Sequence, residues 1–223
     1  MAKVEQQYLD DLIKDAYTKI SEYINQKNIQ DLVNEHFVDR INNDKQKRFI
    51  KFHEYYFNTL NNDEAFMNPG FFMTFRHMYS LRGVSHEHIA GIEKEIDKRT
   101  ILQLIRQDRL SELYPIFTRE KHFGSFFTKL VHTFSPLKYC PVDNPIKKYF
   151  KLEHESFFIA LIVISRAYHM WTINNPELMV KLKKEFVSSD ITGHMRNNVQ
   201  LINEMKLLNI IFWSLADKLY KDS

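Results

Sequence analysis

The sequence predicts an all-α fold: an orthogonally packed multi-helix domain of nine or ten helices. Three observations carry this expectation. Apolar residues recur at helical spacing through most of the 223 residues. Only five glycines and six prolines are present, too few for a sandwich or barrel that turns about every ten residues. Hydrophobic residues make up 44% and aromatics 14%, eighteen of them Phe, enough to fill a sizeable core with bulky side chains. The length suits one large domain over 1–223, with sub-lobes 1–120 and 121–223 meeting around 121–152.

The helices follow in order. Residues 3–25 carry the stripe Val4, Tyr8, Leu12, Ala16, Ile20 and Tyr23 or Ile24. Asn28 caps a second helix with Ile29, Leu32, Val33, His36, Phe37 and Ile41 inward, and Asp44 opens a third on Phe49, Phe52 or His53, Tyr56, Phe57 and Leu60. The polar residues Asn61 to Glu64 read as a loop, and 61–69 is where a boundary would fall. Asn68-Pro69 starts a short helix, Gly70 to Leu81, which Gly83 closes. Ser85 caps the next, with Ile89, Ile92 and Ile96 inward, broken at Thr100 or Asp108 before Pro115. Late in the chain, Glu155 to Ile173 is the most apolar helix and the centre of the second core. Asn175-Pro176 caps a helix to about Val187, and Ile191 to Tyr220 forms the last.

Between the halves lies the most informative stretch, residues 124–152, which holds three of the six prolines and the single cysteine. Phe123, Phe126, Phe127, Leu130, Val131 and Phe134 make 121–134 an amphipathic helix. Ser135-Pro136 ends it, because the residue before proline avoids helical angles. A short apolar loop, Leu137 to Val142, leads to Asp143-Asn144-Pro145, where Asp143 or Asn144 caps and proline sits in the first turn of another helix.

This order of helix, proline-containing loop and Pro-Val-Asp at a helix start resembles the catalytic segment of the helix-hairpin-helix DNA glycosylases. Nineteen residues separate Gly124 from Asp143, close to that family's interval from the last hairpin glycine to its aspartate. The resemblance implies that Asp143 stabilises the cationic sugar formed as a base leaves. It departs from the family in two respects. Gly124 stands alone, without a glycine-rich hairpin, and Phe126 or Phe127 replaces the lysine of bifunctional members, Lys129 lying later. On this reading the partner is double-stranded DNA. Lys147, Lys148 and Lys151 lie near its backbone at a helix N-terminus, and Tyr139 and His132 line the pocket for an extruded base.

Other constellations are less specific. His86-Glu87-His88 and Glu153-His154-Glu155 put their ligands two residues apart, on diverging helix faces, so no metal site and no cofactor are expected. Cys140, next to Pro141, reads as a buried and inert thiol. Basic runs at Lys45 to Arg48, at Lys98-Arg99 with Arg106 and Arg109, and at Lys181 to Lys184 read as solvated faces. Phe71, Phe72, Phe75, Arg76, His77 and Tyr79 form an aromatic helix read as core. The longest apolar run is eight residues, Phe157 to Ile164, so no membrane helix is expected. The lone cysteine and the absence of a signal-like N-terminus suit a cytoplasmic protein. A net charge of +3 neither demands nor excludes nucleic acid. The alternative is a non-catalytic all-helical module for protein interaction or regulation.

Overall fold

A computed structural model describes residues 2–38, 46–81, 83–118, 123–189 and 202–221. Among these residues there are thirteen α-helices, one π-helical turn and no strand, so the fold is all-α. The helices are α1 (Ala2–Asn25), α2 (Ile29–Val33) with its π-helical continuation Asn34–Val38, α3 (Gln46–Thr59), α4 (Asp63–Met67) and α5 (Phe71–Met78). They continue with α6 (His86–Glu95), α7 (Lys98–Arg106), α8 (Leu110–Thr118), α9 (Gly124–Phe134) and α10 (Asn144–Tyr149). The chain closes with α11 (Phe157–Asn174), α12 (Pro176–Ser188) and α13 (Glu204–Lys221). The expected starts at Asp44 and Ile191 lie outside the described residues.

Several helix boundaries differ from the sequence expectation, each for a local reason. The loop expected at 61–64 becomes the start of α4, because the Asn62 side chain accepts from Ala65 N–H at 3.0 Å and caps it. The long helix after Ser85 breaks at Asp97, which accepts from Thr100 N–H at 3.0 Å and from its hydroxyl at 2.6 Å. The break expected at Asp108 is present, since its φ of 64° cannot continue a helix. Pro115 is carried inside α8. Ser80, at φ 54°, takes the left-handed position after α5 that Gly83 was expected to fill.

Buried side chains from α1 through α13 form one cluster. At its centre lies α11, which packs against α1, α9, α12 and α13. Its exposed residues Arg166, His169, Met170, Ile173 and Asn174 fall on a single stripe. Leu161, Val163, Ile164, Ala167, Tyr168 and Trp171 are fully enclosed. Among the described residues this helix is the one whose length and composition would allow it to cross a membrane. Its apolar surface is here the junction of four other helices.

Gly124 has a steric role in this junction. It opens α9 against the start of α11, where a Cβ would fall 2.5 Å from Cβ of Phe157 and inside contact distance of its ring. The glycine is required by close approach of two helices. Its φ does not lie in the left-handed region.

Two stability outcomes follow from this packing. Leu161→Ala should lower the unfolding free energy by about 2–5 kcal/mol in a urea titration, since the side chain is fully enclosed. Gly124→Ala should cost about 1–3 kcal/mol by forcing α9 and α11 apart, whereas the same change at Gly91, where a Cβ meets nothing, should be neutral or slightly stabilising.

Candidate functional site

The central loop surfaces at Leu137 and Lys138 and is then buried from Tyr139 to Val142, where its backbone is held by side chains of the surrounding helices. From α9, the Thr128 hydroxyl donates to the Val142 carbonyl at 2.7 Å and accepts from Val142 N–H at 3.1 Å. His132 Nδ1 lies 2.6 Å from the Tyr139 carbonyl. From α11, the Ser165 hydroxyl accepts from Cys140 N–H at 3.0 Å. From α13, Asn209 donates to the Pro141 carbonyl at 2.9 Å.

Asp143 is half-buried at the end of this loop, and both of its carboxylate oxygens are engaged. One accepts from Ile146 N–H at 3.2 Å, capping α10. The other accepts from the indole N–H of Trp213 on α13 at 2.8 Å. Trp213 is 37% exposed, so the carboxylate fixes an indole at the protein surface.

The three lysines expected beside it do not share a face. Lys147 points inward: its ammonium donates to the carbonyls of Glu153 and Glu155 and lies 4.6 Å from the Phe157 ring centroid. Burial lowers its pKa, opposed by the nearby glutamates. Lys148 and Lys151 are at the surface, Lys151 in the turn after α10 at φ 58°. Tyr139 is buried with its hydroxyl donating to Asp108, which also holds Lys138 at 2.5 Å. Burial works against ionisation of Asp108, but these two donors outweigh it and hold the carboxyl below its usual range.

His132 is fully buried. Its Nδ1 faces a carbonyl, which can only accept, so Nδ1 carries the proton and Nε2 accepts from the Tyr56 hydroxyl at 2.9 Å. Burial pushes its pKa down to about 3, and the nearby Lys206 adds to the effect. The imidazole is a neutral structural link.

Around His132 the fold assembles a cationic and aromatic cluster. Lys206, in the first turn of α13, is only 6% exposed. Its ammonium lies 4.2 Å from the Tyr56 ring centroid and 5.3 Å from that of Phe52, both on α3. Burial lowers its pKa to about 8. Phe52 meets Tyr79 edge-on at 5.1 Å, and Lys129 of α9 lies 5.8 Å from the same tyrosine ring. Burial lowers the pKa of Lys129 too, opposed by the field of Asp143. The hydroxyls of Tyr55 and Tyr79 are closed off from solvent without a hydrogen-bond partner, Tyr79 lying beside Thr133. Elsewhere, an open recess of about 490 Å³ between α4 and α7, lined by Asp63, Arg99, Gln103 and Arg106, shares no residue with this region.

Sequence reasoning passed over Lys206 and Trp213, although a signal for the lysine existed. Lys206 interrupts the apolar run Met205, Leu207 and Leu208 near the start of α13, where a cation is out of place. Cys140 is buried, its thiol 3.4 Å from the Ser165 hydroxyl and its pKa pushed up to about 12 by burial. Among the described residues no group of three or more His, Cys, Asp or Glu could hold a metal ion. His88 instead forms a capping box with Ser85 at the start of α6. No family model, curated protein or solved structure matches the chain.

A pH dependence of stability follows from His132. Its folded pKa lies below the ordinary 6.5, so the unfolded chain binds the extra proton between the two values. Stability is therefore intact above pH 6.5 and falls toward pH 3, by up to about 1.4 kcal/mol per pH unit. Denaturant titrations across this range should show a shallower slope for His132→Gln than for the native chain.

Proposed function

We propose that this chain is a non-catalytic helical interaction module, in which Asp143 positions Trp213 as a partner-facing anchor. The observation that supports the reading is the double engagement of the Asp143 carboxylate, with the α10 cap on one oxygen and a surface indole on the other. Tryptophan is enriched among residues that dominate protein–protein binding, and a fixed ring loses little entropy on docking. His132, Tyr139 and Lys147, expected to face nucleic acid, are each bonded into the frame that holds the loop and helices together. Base excision from duplex DNA is the rival reading. It requires the carboxylate to face an extruded nucleotide, with Lys148 and Lys151 toward the phosphates.

Asp143→Asn separates the two readings. The amide has one acceptor oxygen for two N–H donors, so the variant should lose about 0.5–2 kcal/mol in a urea titration. Native protein should release no base from a panel of duplexes carrying damaged or mismatched bases. Base release that disappears in Asp143→Asn at unchanged stability would establish the rival. Trp213→Phe should keep the fold yet weaken capture of the cognate protein partner.

A further inference from the structure

We infer that the open recess between α4 and α7 is a binding site for a small carboxylate with an apolar body, its charged end on Arg99 and Gln103 and its body on Met67 and Leu102. These side chains border one space of about 490 Å³ together with Asp63 and Arg106. That volume falls in the range of about 300–1,000 Å³ usual for small-molecule sites. Arg99, Gln103 and Arg106 follow one another at steps of four and three residues on α7, so they form a single ridge along one wall. The facing wall is α4, with Asp63 and Met67 one turn apart.

The state of each polar group selects the ligand. Arg106 donates through Nη2 to Asp63 Oδ1 at 2.5 Å, so their charges offset each other. The Arg99 guanidinium and the Gln103 amide make no hydrogen bond or ion pair among the described residues. The lining therefore carries one unmatched positive charge, at Arg99, with amide N–H donors one turn further along the same ridge. A planar guanidinium fork meets a carboxylate through two parallel hydrogen bonds, and one carboxylate balances that charge. A phosphate dianion would leave a negative charge beside Asp63. The neighbouring cation, Lys98, does not line the recess: its ammonium donates to the Asn68 carbonyl at 2.6 Å and lies on the Phe66 and Phe72 rings. The apolar part of the lining suits the body of the ligand. Leu102 is buried, and Met67, 38% exposed, offers an unbranched thioether that adapts to a ligand's shape and favours contact with an aromatic ring. The recess shares no residue with Asp143 or Trp213, so this site stands or falls separately from the interaction-module reading.

The test uses the full chain with phenylacetate, read by calorimetric titration and thermal unfolding. Two controls at matched ionic strength separate the ends of the probe: acetate keeps the charge without the body, and phenylacetamide keeps the body without the charge. Saturable binding of phenylacetate in the millimolar range and a melting temperature that climbs with its concentration are expected. Both controls should bind at least about tenfold more weakly. Arg99→Gln, at an exposed position, should melt as the native chain does yet lose affinity by about tenfold or more. Met67→Ser should weaken binding by about threefold or more through lost apolar contact. Arg109→Gln removes an exposed cation that does not line the recess and should bind the acid with native affinity. The dipeptide acid N-acetyl-glycyl-phenylalanine presents the same carboxylate and ring at a chain end. Its tighter binding would support a peptide terminus as the source of the carboxylate, and the reverse order would support a free small acid. The site is refuted if phenylacetate binds no better than acetate or phenylacetamide, or if Arg99→Gln and Arg109→Gln change its affinity equally.

Discussion

A loop that runs through a helical interior must find hydrogen-bond partners for a backbone that has no helix to supply them. Between Tyr139 and Asp143 those partners are side chains: Thr128 and His132 from α9, Ser165 from α11, and Asn209 from α13. Each bond is worth only about 1 kcal/mol net, but an orphaned buried carbonyl or N–H costs as much or more. The four contacts therefore fix where three helices can stand relative to one loop. The His132 tautomer, the seat of Cys140 and the approach of α13 all follow from that requirement.

The same region shows how the chain manages charge in a core built of rings. His132 avoids the problem by staying neutral, since a protonated imidazole there would face both burial and Lys206. Lys147 solves it with two carbonyls at the turn into α11. Lys206 and Lys129 are stacked on aromatic faces, whose negative quadrupoles attract a cation without being able to neutralise it. Burial is thus met in three different ways, by neutrality, by backbone carbonyls and by ring faces.

Asp143 links this interior to the surface. Its cap on α10 is a local interaction between residues three apart, whereas its bond to Trp213 spans seventy residues of sequence. The carboxylate thus couples the geometry of the central loop to the orientation of an exposed indole on α13. A partner contacting that indole would feel the loop through one side chain, and disturbance of the loop would be transmitted outward by the same path.

Much of the fold was legible in the residue pattern, because helix formation is governed by spacing and caps within a few positions. The stripes of α9 and α11, the Ser85 and Asp143 caps and the inert Cys140 were readable in this way, whereas on α1 only the later part of the stripe holds: Ala16, Ile20 and Ile24 are buried together with Ile13, and Tyr8, expected inward, is 52% exposed. Where two local signals competed, as Asp97 against Thr100 or Ser80 against Gly83, the choice turned on hydrogen-bond geometry and backbone angle, which composition does not specify. The candidate site was less legible. Asp143, His132 and Tyr139 could be singled out as polar or aromatic residues of one segment, but their partners Trp213, Tyr56 and Asp108 are distant in sequence. Gly124, set beside the last hairpin glycine of the glycosylase segment in the sequence, is needed for the close approach of α11. By itself the sequence determined the helices, their apolar faces and their caps, all set by interactions within about one turn. The tertiary structure alone decided which polar groups are withdrawn from water and what each then bonds, because burial depends on how separate helices pack and not on any residue's neighbours along the chain.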